Sequence, residues 1–113
     1  MNIQIFGKSK CFDTKKAQRY FLERRIRFQQ IDLAQKGMSK GELESVRQAV
    51  GSYKELIDPK SKDYAKSCIA YVASEENLRD KLLAYPSLLR TPIVHNGRQA
   101  TIGYCPDVWK TWE

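Results

Sequence analysis

Polar and apolar positions alternate at the start of the chain, through Asn2, Ile3, Gln4, Ile5 and Phe6, which is the period of a β-strand. A short polar turn occupies residues 7–10. The spacing then changes: Ala17, Tyr20, Phe21 and Arg24 recur at helical intervals, so a helix begins near Cys11 or Phe12. Alternation returns over residues 27–33, with Phe28, Ile31 and Leu33 apolar. Strand, helix and strand within about thirty residues is the size of a βαβ unit.

The middle of the chain reads as helices. Ser39 and Glu42 have the spacing of a capping box, and Met38 and Leu43 that of a hydrophobic staple. Leu43, Val46 and Val50 form the buried stripe of this helix, and Gly51 ends it. Residues 62–73 are expected to form another helix with Ala65, Cys68, Ile69 and Val72 on one face, which puts Cys68 in the core. Ser74 caps a third helix bearing Leu78, Leu82 and Leu83, and Tyr85-Pro86 stops it. Strand character then resumes. Ile93 and Val94 start a strand, Asn96-Gly97 is the favoured hairpin turn, and residues 99–103 return. His95, just before the turn, is expected at the surface. Pro106 opens a closing helix over residues 107–112, packed by Trp109 and Trp112. The order β-α-β, helices, β-β-α defines an α/β fold: one domain over residues 1–113, with a helical insertion over roughly residues 39–85.

Composition narrows the picture. A chain of 113 residues has room for one domain, and its 42% apolar content can supply a core. No apolar run approaches the roughly 20 residues of a bilayer-spanning helix. The first residues lack the apolar segment and small-residue cleavage site of an export signal, so a cytoplasmic protein without a membrane partner is expected. Twenty Lys plus Arg against thirteen Asp plus Glu leave a net charge of +7. That charge suits an anionic small molecule, nucleic acid or solubility alone. Nucleic acid is the weakest of these, because zinc-finger spacing, an aromatic RNA-binding signature and a run of five basic residues are all missing. One histidine and three scattered cysteines make no metal set and no disulfide framework.

Cys11 is the most informative residue. It lies between a strand and a helix start, where unpaired N–H groups and the positive end of the helix dipole stabilise a thiolate. Lys8, Lys10, Lys15 and Lys16 add positive potential, and Asp13 opposes them. The alternative is an inert small residue packed at the junction. Other nucleophile loops fail on spacing. A phosphatase loop needs Arg six places after the cysteine, where Ala17 stands; a Walker loop ending in Gly7-Lys8-Ser9 needs an upstream glycine where Asn2 stands. A dithiol needs a cysteine at Thr14, so the motif is a monothiol CxxT. General statistics favour a trans Thr91-Pro92 bond. Cys105, directly before Pro106, reads as the first residue of a helix.

These motifs in this order resemble the ArsC/Spx-like arsenate reductase family. The similarity is carried by Ile3-Gln4-Ile5-Phe6-Gly7, by Lys10-Cys11 with Asp13-Thr14 and Lys15-Lys16-Ala17, and by Phe28-Gln29-Gln30-Ile31-Asp32. It continues through Leu88-Leu89-Arg90-Thr91-Pro92-Ile93-Val94 and Gly103-Tyr104. The resemblance implies a thioredoxin-like four-stranded mixed sheet with an inserted helical subdomain, Cys11 as nucleophile, and a cis Pro92 beside it. It further implies a thiol–disulfide oxidoreductase working through a mixed disulfide, released by glutathione, a glutaredoxin, thioredoxin or Cys105. Lys10 and Lys15 would attract a small anionic thiol or an oxyanion, Thr14 would hydrogen-bond the thiolate, and Arg90 and Thr91 would line the substrate site. No tightly bound cofactor is expected; glutathione would be a co-substrate.

The chain departs from the family at the oxyanion. Arginines of the arsenate reductases correspond here to Thr91, with Arg90 one place earlier, to Cys105, and to the Asp58-Pro59-Lys60 segment, which offers a lysine. Weak oxyanion binding is the expectation. Spx regulators, which bind RNA polymerase, often carry CxxC where this chain has CxxT. The nearest match is to the small members proposed as glutathione-dependent thiol reductases. A polymerase-binding regulator and a genuine arsenate reductase are the alternatives.

Overall fold

The computed structural model describes residues 1–112. Its sheet has the order β2-β1-β3-β4, with β1 (Ile3–Gly7) inside it. β2 (Phe28–Asp32) runs parallel to β1 with Gln30 opposite Ile5. A parallel pair needs a crossover, and α1 (Phe12–Glu23) supplies it. β3 (Ile93–Asn96) runs antiparallel to β1 with Val94 opposite Ile5, and β4 (Gln99–Ile102) pairs antiparallel with β3. Asn96 stays paired with Gln99, so the hairpin loop is Gly97-Arg98, one place later than the Asn-Gly reading. Gly97 takes the φ of +61° that the turn demands.

Strand alternation divides the core between the two faces of the sheet. Ile3, Ile5 and Val94 pack with Ala17, Tyr20 and Phe21 of α1 and with Trp109 of α4 (Pro106–Trp109). The Trp109 indole donates to Thr101 Oγ1 at 2.8 Å, which satisfies the one polar group of a fully buried ring. Phe6, Ile31 and Ile93 face the opposite way, onto the helices between β2 and β3. There α2 (Lys40–Val50) contributes Leu43 and Val46, and α3 (Glu75–Ala84) contributes Leu78 and Leu82.

The local signals hold where they are self-contained. Ser39 Oγ accepts from Glu42 N at 3.1 Å, and Glu42 Oε1 accepts from Ser39 N at 2.9 Å, a reciprocal cap worth about 1 kcal/mol. Met38 and Leu43 are both buried beside it. Gly51 ends α2 at φ +105°, and Ser74 Oγ accepts from Asn77 N at 3.1 Å.

Two further expectations fail. Residues 62–73 are not a helix: they form turns followed by a 3₁₀ turn at Ile69–Tyr71. Local polar groups compete for the backbone there. Ser61 Oγ accepts from Asp63 N at 3.2 Å, Ser67 Oγ donates to Tyr64 O at 3.2 Å, and Cys68 turns left-handed at φ 57°. Ile69 is buried but Cys68 is exposed, so Cys68 is not a core residue. His95 is buried instead of exposed: α2 packs against the neighbouring β4 and sets Ser45 against its ring. Its ring bridges Ser45 Oγ and Gln4 Oε1, each at 3.0 Å. Burial lowers its pKa, against the opposing pull of Glu42 and of the Gly97 backbone.

One long-range pairing shapes the site. Arg90 N donates to Leu56 O at 2.8 Å and Asp58 N to Leu88 O at 2.7 Å. This ties residues 56–58 to the segment entering β3 and brings Asp58 beside Lys8, with Nζ and Oδ2 3.9 Å apart.

Candidate active site around Cys11

Gly7 ends β1, the chain turns through residues 8–10, and Cys11 becomes the N-cap of α1. The turn closes through Cys11 N donating to Lys8 O at 3.1 Å. Extended φ and ψ of −90° and 115° leave the Cys11 side chain at the mouth of the helix. Thr14, one turn on, is 2% exposed and packs over Gly7. A Cβ on Gly7 would come within 2.8 Å of Thr14 Oγ1 and closer still to Cγ2, so glycine is the residue that lets strand end and helix start meet.

The other wall is Thr91-Pro92, a cis peptide. Pro92 is buried, and its carbonyl accepts from Gly103 N at 2.8 Å. This arrangement presents the Thr91 carbonyl to Cys11, whose Sγ donates to it at 3.6 Å. The cis bond is the one the family resemblance implies, against general statistics.

Burial pushes the Cys11 thiol up, but hydrogen bonds from the Thr14 and Thr91 side chains and from the Thr14 and Asp13 backbone together outweigh it. The result is a pKa below the ordinary thiol value. The buried Thr14 hydroxyl makes no hydrogen bond among the described residues while Cys11 is a thiol, and its side chain is the largest influence favouring the thiolate.

Cys11 opens into a cleft of about 450 Å³ lined also by Lys8, Lys10, Asp13, Arg90 and Thr91. Lys8 is half-buried; its Nζ donates to Ser87 O at 2.8 Å. Burial lowers its pKa, while Asp58 and then Cys11 favour its charged form. Arg90 donates Nε to Ile57 O at 2.7 Å, which anchors the guanidinium at the cleft edge.

Of the residues expected from sequence, Cys11, Lys10, Arg90 and Thr91 line this cleft, and Thr14 and Pro92 are buried behind it. Lys15 is not among the lining residues; its ammonium lies 5.9 Å from the Phe12 ring centroid. Cys105 does not line the cleft either. Its Sγ donates to Ile102 O at 3.3 Å, it packs against the cluster around Trp109, and burial raises its pKa. Sequence reasoning named the Asp58-Pro59-Lys60 segment only for its lysine, yet it is Asp58 that lines this cleft. No local pattern marks it, because a pairing between distant segments delivers it. Among the described residues, no cluster of His, Cys, Asp and Glu has the arrangement of a metal site, and no helix is long and apolar enough to cross a membrane.

The sequence model of the ArsC family matches residues 6–112. No curated protein matches the chain. An ArsC family related protein of Bacteroides fragilis superposes with a TM-score of 0.87 at 18% identity, covering 100% of this chain and 98% of that one. An arsenate reductase of Vibrio cholerae gives 0.83 at 22% identity, covering 96% of this chain and 94% of its own. NrdH-redoxin of Escherichia coli, a glutaredoxin-like protein, gives 0.51 at 14% identity over 100% and 96%. At these identities the likeness establishes the fold, which is thioredoxin-like.

Proposed function

The chain belongs to the ArsC family, and from that premise we propose that it is a thiol–disulfide oxidoreductase with Cys11 as its nucleophile. The Cys11 thiolate attacks one sulfur of a disulfide, a new S–S bond forms to Cys11, and the other half leaves as a thiolate that takes up a proton. A second thiol, from glutathione or a glutaredoxin, then attacks the mixed disulfide and restores Cys11. Thr91, which lines the cleft beside Cys11, would offer its backbone as a pairing partner to a bound thiol peptide. A reducing compartment, the cytoplasm, suits a chain whose three cysteines are all free.

The observation that carries this reading is the thiol at the start of α1, its pKa lowered by donors from Asp13, Thr14 and Thr91, in an open cleft. An external thiol is favoured for the release step. Cys105 has its sulfur bonded to Ile102 O and a raised pKa, which keep it a poor attacking thiol at neutral pH. Disulfides are favoured over arsenate as substrates, because Arg90 is the one arginine among the lining residues and lysines do not give bidentate contacts.

Mass spectrometry after treatment with glutathione disulfide tests the reading. One glutathione should add at Cys11, faster than at the exposed Cys68, and none should add at that position in Cys11→Ser. Modification of Cys68 ahead of Cys11 would refute it.

A further inference from the structure

The cleft does not stop at the thiol. Lys8, Lys10 and Asp58 form a wall shared with a second, larger cleft of about 890 Å³, bounded by the β2–α2 loop, residues 58–63 and residues 84–87. The carboxylates of this second cleft are engaged by their own chain. Asp32 Oδ1 accepts from Ala34 N at 2.9 Å, and Asp58 Oδ1 accepts from Lys60 N at 2.9 Å. The Ser87 hydroxyl donates to Asp63. Lys10, Lys60 and Lys62 also line the cleft, yet make no ion pair among the described residues.

Four lysines against three aspartates leave the lining one positive charge in excess, and Lys10, Lys60 and Lys62 are the cations not already held in an ion pair, so the cleft favours an anion that those three can reach. Its remaining lining includes Leu33, Ala84, Tyr85 and Pro86, so it offers apolar surface as well as charge. The cations are lysines, point charges that suit phosphate, and the cleft has no arginine to fork onto a carboxylate. Its volume is that of a site for an elongated organic ligand.

We propose that the second cleft holds the phosphorylated tail of a small thiol substrate, whose disulfide end reaches Cys11 across the wall formed by Lys8 and Lys10. The inference rests on the reading of Cys11 as the attacking thiol. In the step concerned, the Cys11 thiolate attacks the symmetric disulfide of the phosphorylated thiol. The substrate S–S bond breaks, an S–S bond to Cys11 forms, and one phosphorylated thiol leaves reduced while Cys11 is oxidised.

The test measures the rate of mixed-disulfide formation at Cys11 with three probes: coenzyme A disulfide, pantethine, which has the same arm without nucleotide or phosphates, and glutathione disulfide. The unaltered protein is compared with Lys60→Gln/Lys62→Gln and with Lys40→Gln/Lys54→Gln, which loses the same charge outside the cleft. Coenzyme A disulfide should react at least about tenfold faster than pantethine, a difference of about 1.4 kcal/mol. The cleft variant should lose most of that preference while its pantethine rate stays unchanged, and the control variant should keep it. Equal loss in both variants would mean general attraction to a basic protein and would overturn the proposal. So would a preference for glutathione disulfide that depends on Lys60 and Lys62, which would assign the cleft to carboxylates. Cys11 reacting with all three probes without preference sinks this inference alone, whereas Cys11 inert to disulfides and alkylating agents alike sinks the proposed function with it.

Discussion

Replacing Thr14 with valine isolates the device that ionises Cys11. The change keeps the side chain's shape and removes its hydroxyl. In the thiol state that hydroxyl is buried without an oxygen or nitrogen partner, so its loss is neutral or stabilises the fold by up to about 1 kcal/mol. In the thiolate state a hydrogen bond to a charged acceptor is lost. Such bonds are worth roughly 1.5–3 kcal/mol, and the open cleft argues for the lower end. About 1.4 kcal/mol is tenfold in the ionisation equilibrium. A more basic thiolate is also a better nucleophile, with a Brønsted slope of roughly 0.4–0.5, so each remaining thiolate reacts about threefold faster. The two effects predict alkylation by iodoacetamide about threefold slower at pH well below the Cys11 titration and about threefold faster on the alkaline plateau. The pH profiles of the two proteins therefore cross. Stability must follow the same sign. Cys11 ionises more readily folded than unfolded, so it contributes stability that is complete above the unfolded thiol value of about 8.5 and lost as pH falls through the folded value. Thr14→Val should shrink that pH-dependent gain in denaturant titrations. Superimposable alkylation profiles would show that the Thr14 hydroxyl does not act on the sulfur.

Gly7→Ala should displace Thr14 from the strand end, destabilise the protein by about 1–3 kcal/mol in urea titrations, and move the Cys11 alkylation midpoint up. Thr91→Arg should tighten arsenate binding about tenfold by calorimetry, from a weak starting value, since it adds a planar fork beside Arg90. His95 titrates below its ordinary value because it is buried, so the unfolded chain takes up a proton first. Stability should therefore fall as pH drops through about 6.5, and His95→Gln should flatten that part of the curve.

What could be read from the chain alone is what neighbours within about four residues decide. The capping box at Ser39 and Glu42, the cap at Ser74, the alternation in β1 and the placing of Cys11 at a helix start all belong to this class. Each rests on a period or on a side chain reaching its own backbone. The same reasoning misread residues 62–73, where an apolar spacing at 65, 68, 69 and 72 was outweighed by serine hydroxyls taking backbone partners and by the left-handed Cys68. It misread His95, because nothing local announces that α2 will pack beside β3 and offer Ser45. The working end of the molecule depends most on distance in sequence. Thr91 meets Cys11 across 80 residues, and Lys8 meets Ser87 across 79. Asp58 reaches Lys8 only because Leu56 and Asp58 hydrogen-bond to the backbone at Arg90 and Leu88. The sequence alone determined that a cysteine would stand at the mouth of the first helix. The tertiary structure decided which hydroxyls, cations and carbonyls surround it, because those contacts exist only once β1 and β3 are paired and the segments entering them are held side by side.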